Sequence, residues 1–427
     1  MANEPPLQAS LWHATAAPAP ATQPFVGDRT ADVAIVGAGF TGCSAALHLA
    51  EKGVNVTVLE AEQIGWGGSG RNAGLVNAGM WLDPSEVIRL LGPVYGPRIL
   101  DALDAAPELV ARLAKRHDMA CDIVPKGVIR GAHNHKALGG LIEHARQWRE
   151  RGANVEVYDR TAFAKLTGSN HYVGGIVDHR SFSIQPLSYA RGLARAAIAA
   201  GAHLHEGARV TAVESANGKW RLKTAAGVLT ADKMIMATNA YSDGLWPGMR
   251  ETIIPIGCYM YATEPLSENV RQSILPGKRA LYDAQPSMVF ARYDRDYRLI
   301  VGSLGYLPSG EMVSPRSWAQ RTLRYLFPQL GEQTFSHAWA GTIGFTSDHL
   351  PRIYEPAPGV HMVLGYNGRG IGPGTYWGKT LADRVLGMPA SDFALPVSPV
   401  KAAPFRGLRS RFYETAFSAY RLRSLFQ

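Results

Sequence analysis

Cysteine is scarce in this chain of 427 residues: Cys43, Cys121 and Cys258 are far apart and odd in number. That excludes a disulfide framework and a zinc finger, and a reduced, cytoplasmic setting is expected. Long apolar runs are missing too. No stretch of 18 apolar residues occurs, so no helix is expected to span a bilayer. The first 25 residues lack a basic n-region and an apolar h-region, which argues against a secretory signal. Their Ala/Pro character predicts an extended arm over residues 1–27. Charged residues are only 19% against 46% apolar, the balance of a folded chain. Acids are the rarer sign, 35 against 44 bases, and the deficit is uneven. Residues 401–427 hold six bases and one acid, Glu414, and so carry five of the nine net positive charges. No recognised nucleic-acid module accompanies them, so nucleic acid is not an expected partner.

Glycine, by contrast, is abundant and placed. Asp32–Val36 is a short apolar, β-branched run that reads as a buried parallel strand. Residues 40–52 read as a helix and 54–60 as a second strand, with tight connections. Between them lies Gly37-Ala38-Gly39-Phe40-Thr41-Gly42, a G-x-G-x-x-G in a strand–turn–helix context, with Glu60 ending the second strand. Gly37 permits the tight turn, Gly39 lets backbone approach a pyrophosphate, and Gly42 lets helix and strand pack closely. The helix N-terminus favours phosphate, and Glu60 is placed to accept from ribose hydroxyls. A Gly/Ser-rich stretch, Gly65–Gly74, follows and ends in Arg71-Asn72, suited to wrapping a longer cofactor. A second glycine cluster at 365–374 follows a strand, but no acid-ended strand comes about 20 residues later. With no second dinucleotide unit, a bound flavin reduced by its substrate is expected rather than one reduced by a nicotinamide.

The remainder alternates. Helices are expected over 84–117 with breaks at Gly92-Pro93 and Gly96-Pro97, and over 134–152, 185–200, 315–327 and from 374 to about 386. Strands are expected at 122–132, 208–214, 218–224, 227–231, 233–238 and 360–365, with a β-rich segment over 251–304. The chain therefore reads as an α/β body with a β-rich insertion and a last strand–turn–helix unit returning to the first.

In four landmarks the chain resembles the FAD-dependent D-amino-acid-oxidase-like superfamily, and within it the bacterial γ-glutamylputrescine oxidase, L-pipecolate oxidase and sarcosine oxidase group. They are DVAIVGAGFTG (32–42) with HLAEKGVNVTVLEA (48–61), IGWGGSGRNAG (64–74), MIMATNAYS (234–242), and LGYNGRGIGPG (364–374) preceded by WAGTIGFTSDHLP (339–351). The resemblance implies a Rossmann-type FAD-binding domain (28–80, 181–245, 336–395) and a substrate domain with a large mixed sheet (81–180, 246–335), followed by a basic tail (396–427). It implies that Gly37, Gly39, Phe40, Thr41, Gly42, Glu60 and Ala61 hold the ADP half. Gly68, Ser69, Arg71, Asn72 and Ala73 would line the path to the flavin. Val210, in a strand, would meet the adenine, and Gly368, Arg369, Gly370 and Ile371 would sit at the pyrimidine end. Sarcosine-oxidase relatives tether flavin through a cysteine in the segment matching Gly341–Thr346; none is present there, so FAD is expected to be non-covalent. The carboxylate-binding Arg of D-amino-acid and glycine oxidases is absent from that segment too. The lysine that promotes reaction with O2 is replaced by an apolar residue, Ile300, so a slow reaction with O2 is expected.

The implied chemistry is oxidation of a C–N bond by hydride transfer to flavin N5, with hydrolysis of the imine and electrons passing to O2 or a membrane quinone-type acceptor. No catalytic base is required. A cation for a substrate carboxylate is expected, with Arg292, Arg298, Arg369 and Lys379 as candidates. Arg292 either points inward from its strand or is a solvated edge residue. Tyr259 and Tyr261 share a strand face and either roof the flavin or pack in the core. No metal is expected: His133, His135 and His144 lack completing ligands. Cys258 reads as buried and inert. In the tail, Leu408, Phe412, Ala416 and Ala419 fall at helical spacing beside Phe417, Tyr420, Leu425 and Phe426. This basic amphipathic helix either docks on its own protein or lies peripherally on the inner face of the cytoplasmic membrane. A flavoprotein subunit in tRNA modification or a larger assembly, using the tail to bind a partner, is the alternative from another class.

Overall fold

Two eight-stranded sheets organise the protein, whose computed structural model describes residues 6–305 and 315–423. The first is largely parallel. Its order is Arg352–Ala357, Val360–Leu364, Gly227–Met236, Arg29–Val36, Val56–Leu59 and His203–His205, with Lys219–Thr224 and Ala212–Ala216 added as an antiparallel flap. The first strand lies centrally because its last residues are apolar on both faces; Val33 to Val36 are all buried. Helices Phe40–Ala50 and Ile371–Val385 return over one face of it, and helix Pro186–Ala199 packs beside the former. Both of the first two start at the same end of the sheet.

The second sheet is mixed. Its order is Phe335–Phe345, Ile254–Pro265, Arg298–Leu304, Val289–Tyr293, Ala280–Asp283, Val128–Ala132, Gly174–Asp178 and Val155–Asp159. Only Ala280–Asp283 and Val128–Ala132 run parallel. Residues 336–345, expected in the cofactor domain, are instead the edge strand of this sheet, because they pair along their whole length with Ile254–Thr263.

Several boundaries differ from the sequence expectations. Helix Pro84–Arg116 is interrupted at Gly92, whose φ is +74°, but runs through Gly96-Pro97. The strand expected over 122–132 narrows to Val128–Ala132. Val210 lies in the extended segment before strand Ala212–Ala216, not within a strand. The N-terminal segment is not simply a surface arm. Leu7, Leu11 and Trp12 are fully buried, and Trp12 stacks edge-on against Trp339 at 5.6 Å. Apolar side chains at i, i+4 and i+5 outweigh the Ala/Pro composition around them.

The tail forms helix Arg406–Arg423 and docks on the second sheet. Arg406 Nε donates to the Ile253 carbonyl at 2.9 Å, and Ala403 and Tyr413 pack on Ile254 and Ile256. Leu408 and Phe412, read as one apolar face, point to solvent at 69% and 65% exposure, as does Phe405 at 76%. The side chains of Phe417, Ala419, Tyr420, Leu425 and Phe426 lie outside the described residues. No helix among the described residues is long and apolar enough to cross a membrane.

Candidate active site

A continuous cavity of about 960 Å³ runs between the two sheets. That volume is at the upper end for small-molecule and cofactor sites. At one end the glycine fingerprint forms its floor. Gly37 takes φ +102°, which only glycine adopts without strain, and a Cβ on Gly42 would overlap the Gly37 carbonyl oxygen. Ala38 N–H donates to the Glu60 carboxylate at 2.6 Å, and Glu62 N–H donates to its other oxygen at 3.0 Å. Burial pushes the Glu60 carboxyl above its ordinary value, while these N–H donors pull the other way. Phe40 N–H donates to Ser69 Oγ, so the second glycine-rich stretch lies directly against the first.

That stretch is pinned from below. Arg71 is fully buried; its Nε donates to Trp66 O at 2.8 Å and its Nη1 to Ala340 O at 3.0 Å. Asn72 folds back on Gly68 and Ser69 through its amide and accepts from Gly74 N–H. Trp12 and Trp339 donate their indole N–H groups to Asn72 O and Arg71 O. A network of buried tryptophans therefore fixes this loop, which explains why residues 7–15 are drawn into the core.

Further along, Tyr366 hydroxyl bonds Thr41 Oγ1 at 2.7 Å, and Asn367 holds φ +52° while its side chain accepts from Thr346 N–H at 2.8 Å. The helix that begins at Ile371 aims its N-terminus at the cavity, where a partial positive charge stabilises an anion. The far end is aromatic and cationic: Trp81, Arg130, Tyr282 and Phe290 line it, together with Met260 and Met288.

Most residues expected at the cofactor meet here. Gly37, Gly39, Phe40, Thr41, Glu60, Ala61, Gly68, Ser69, Arg71, Asn72, Ala73, Val210, Gly368, Gly370 and Ile371 all line the cavity. Gly42 stands behind the floor, as its packing role requires.

The substrate candidates fare differently. Tyr259 and Tyr261 share a face, but it is the wrong one. Both pack into the core, Tyr259 against Trp318 and Tyr261 against Phe335, and their alternates Cys258 and Met260 line the cavity. Cys258 is therefore buried but at the site, with its thiol 3.5 Å from Gly341 O. Arg292 points inward and is only 2% exposed, yet it is committed to the carbonyls of Gly74 (2.8 Å), Ile184 (2.6 Å) and Tyr293 (3.1 Å). Burial pulls its pKa down to about 10, so it stays charged at neutral pH. Arg298 pairs with Asp294 and Asp296, and Lys379 with Asp383, all away from the cavity. Arg369 does not line the cavity; it sits under Trp81 and Tyr282, donating to Ala78 O at 2.6 Å and to the Tyr282 hydroxyl at 3.2 Å. Ile300 is buried in the neighbouring core, and Leu304 is what its strand presents to the cavity. Trp81, Arg130 and Tyr282 carried no local sequence signal. They meet only through the pairing of Tyr282 with Arg130 across two strands far apart in the chain.

The FAD dependent oxidoreductase family model matches residues 32–384. The chain belongs to that family. It is 31% identical over 424 residues to the probable oxidoreductase OrdL of Rhizobium meliloti (strain 1021), covering 98% of this chain and 97% of that one. It is 32% identical over 365 residues to the γ-glutamylputrescine oxidoreductase of Escherichia coli (strain K12), covering 84% of each. Among solved structures, glycine oxidase from Geobacillus kaustophilus matches with a TM-score of 0.71 at 21% identity, covering 88% of this chain and 99% of that one. This flavoprotein thus takes FAD as its cofactor. The residues fit that group: the glycine floor and two convergent helix N-termini suit a pyrophosphate and an electron-rich ring, and Glu60 suits a ribose.

Proposed function

We propose that this enzyme oxidises the C–N bond of an amine or amino acid that carries a carboxylate. A secondary or terminal amine, L-pipecolate-like or γ-glutamylputrescine-like, fits best. The observation that carries the reading is the continuity of one cavity from the glycine floor to the chamber of Trp81, Arg130, Tyr282 and Phe290. The likeness to the γ-glutamylputrescine oxidoreductase supports the same class.

When bound, FAD supplies the hydride acceptor. The protein's own share is position and field. Phe290, Met260 and Met288 exclude water from the chamber and favour the neutral amine over its ammonium form. The helix beginning at Ile371 favours negative charge at its end of the cavity. The Asp283 carboxylate is engaged by the backbone of Gln285 and Val289 and serves the loop rather than a proton transfer.

For the acceptor, we favour a membrane-borne one over O2. The apolar Ile300, where the resemblance led us to look for a lysine, supports this, as do the equally apolar Leu304 that its strand presents to the cavity and the tail. Leu304 and Phe345 line the cavity and pack against Ile254 and Ile256, the isoleucines on which Ala403 and Tyr413 of the tail also pack. The decisive experiment is anaerobic mixing of the holoenzyme with a panel of amines and amino acids. Bleaching of the flavin by carboxylate-bearing secondary or terminal amines is expected; no bleaching by any of them defeats the amine reading and leaves the partner-binding flavoprotein subunit.

A further inference from the structure

The segment Leu11–Thr15 reaches the cofactor loop from behind. Trp12 is fully buried and stands outside the cavity, yet its indole N–H donates to Asn72 O at 2.7 Å, and Asn72 and Ala73 both line the cavity. Trp339, edge-on to Trp12, donates in the same way to Arg71 O at 3.1 Å. The peptide between Asn72 and Ala73 is trans, so its C=O and N–H point to opposite sides. With the Asn72 carbonyl held toward Trp12, the Ala73 N–H is turned the other way, to the side where the cavity lies. The Asn72 side chain secures the rest of the turn through Gly68 O, Ser69 O and Gly74 N–H. What Trp12 adds is the orientation of this one peptide.

Trp12 is held in turn by helix Pro186–Ala199. Gln185 caps that helix with one end of its amide, where Oε1 accepts from Ser188 N–H at 2.7 Å, and with the other end donates to Trp12 O at 2.7 Å. Further along, Ser188 Oγ accepts from Ala17 N–H at 2.9 Å, Arg191 Nη1 donates to Ala17 O at 2.8 Å, and Arg195 Nη2 donates to Pro18 O at 2.6 Å. Positions 188, 191 and 195 fall at i, i+3 and i+7, on one face of the helix. None of these four side chains lines the cavity. Residues 11–18 are thus a strap fastened along the helix, with Trp12 at the end that meets the loop. Burial of a tryptophan does not by itself call for such a bond: Trp377 is equally buried, and among the described residues its indole N–H has no acceptor.

We propose that residues 11–18 are a cofactor strap and that Trp12 is a positioning residue for FAD, aiming the Ala73 N–H into the cavity as a fixed donor to the bound cofactor. The proposal rests on FAD binding alone and holds whichever amine is oxidised. Two readouts on the holoenzyme test it: the rate of FAD release on dilution, followed as the rise in flavin fluorescence, and the visible circular dichroism of the bound flavin. Trp12→Phe keeps a buried ring and removes the donor. It is expected to release FAD about two- to twelvefold faster, the usual worth of one hydrogen bond, and to change the visible circular dichroism. Ser188→Ala combined with Arg191→Gln frees the strap at Ala17 and touches neither loop nor cavity. It is expected to speed release by at least about twofold, and it decides the matter if Trp12→Phe does not fold. Trp377→Phe is the control; it lowers Tm through lost packing and leaves both flavin readouts as in the parent. Release and circular dichroism that match the parent in folded Trp12→Phe, or in the double variant, overturn the proposal and leave residues 11–18 as core packing. Release that is equally fast in Trp377→Phe overturns it too, because the effect then follows stability rather than the strap.

Discussion

The backbone N–H of Phe40 donates to Ser69 Oγ at 3.0 Å, joining two glycine-rich segments into one floor. A Cβ on Gly39 would stand 2.8 Å from that same oxygen, so Gly39→Ala must displace Ser69. Overpacking of this kind costs about 1–3 kcal/mol, which is about five- to 150-fold in affinity if it falls on the cofactor. Titrating apoprotein with FAD by fluorescence quenching should show that loss with little change in the Tm of the apoprotein. Gly42→Ala should behave oppositely, because its methyl overlaps backbone of Gly37 and strikes stability itself. A Gly39→Ala protein that binds FAD normally would remove the floor from the cofactor site.

FAD should leave this protein intact on denaturation. The segment Gly341–Thr346 offers no thiol, and the thiol nearest to it in the sheet, Cys258, donates to Gly341 O. Acid precipitation should send all flavin to the supernatant. Fluorescence that stays with the polypeptide, and disappears in Cys258→Ala, would instead identify a tether.

Arg292 illustrates a cation whose work is structural. Its guanidinium satisfies the carbonyls of Gly74, Ile184 and Tyr293 and lies 5.3 Å from the Trp12 ring centre. Arg292→Met leaves those buried acceptors unpaired, at about 1–3 kcal/mol for each. Urea unfolding should show a loss of at least about 3 kcal/mol, and the surviving folded protein should keep its KM for amine. A selective rise in KM without loss of stability would return Arg292 to the substrate list.

These cases show which parts of the site were legible in the sequence. Gly37, Gly39 and Gly42 could be assigned because each answers a local demand that only glycine meets, and Glu60 because strand and helix lengths fix its distance. Alternation placed Tyr259 and Tyr261 on one face, but nothing local says which face of a strand meets the cavity. That is decided by neighbouring strands, and here Cys258 and Met260 won. Inward direction alone misled at Arg292, since the carbonyls that consume it come from 108 and 218 residues away. Arg130 and Tyr282 become neighbours only through a parallel pairing between distant strands, which leaves no periodic trace.

Asp283 should make stability depend on pH in an unusual direction. It is buried against the cavity, and burial pushes its carboxyl from 3.8 up to about 7, against the pull of the Val289 and Gln285 donors and the charge of Arg130. The native state therefore holds the proton more tightly than the unfolded chain. This group's contribution is most favourable below pH 4 and is lost as pH rises from 4 to 7. Asn retains both backbone acceptor bonds through its Oδ1 and has no charge to bury. Asp283→Asn should therefore gain stability relative to the parent between pH 5 and pH 8, by up to about 4 kcal/mol. Denaturant titrations at the two pH values test this; a difference that does not change with pH means that Asp283 titrates like an exposed carboxylate.

The tail presents two faces, and two variants separate their roles. Ala403 and Tyr413 cover Ile254 and Ile256, so truncation after Pro399 exposes two buried isoleucines, the same ones against which Leu304 and Phe345 pack. Fully exposing an isoleucine costs about 1.5–3 kcal/mol, so the truncated protein should melt several degrees lower and turn over more slowly. Phe405, Leu408 and Phe412 touch little of the protein, so replacing all three with serine should leave Tm and amine turnover unchanged. If those side chains insert into an anionic bilayer drawn in by the tail's net charge, the triple variant alone should lose pelleting with phosphatidylserine-containing vesicles and lose quinone reduction. Equal pelleting and quinone reduction by parent and triple variant would leave the helix a docking element, and the acceptor would then have to reach the flavin without the tail.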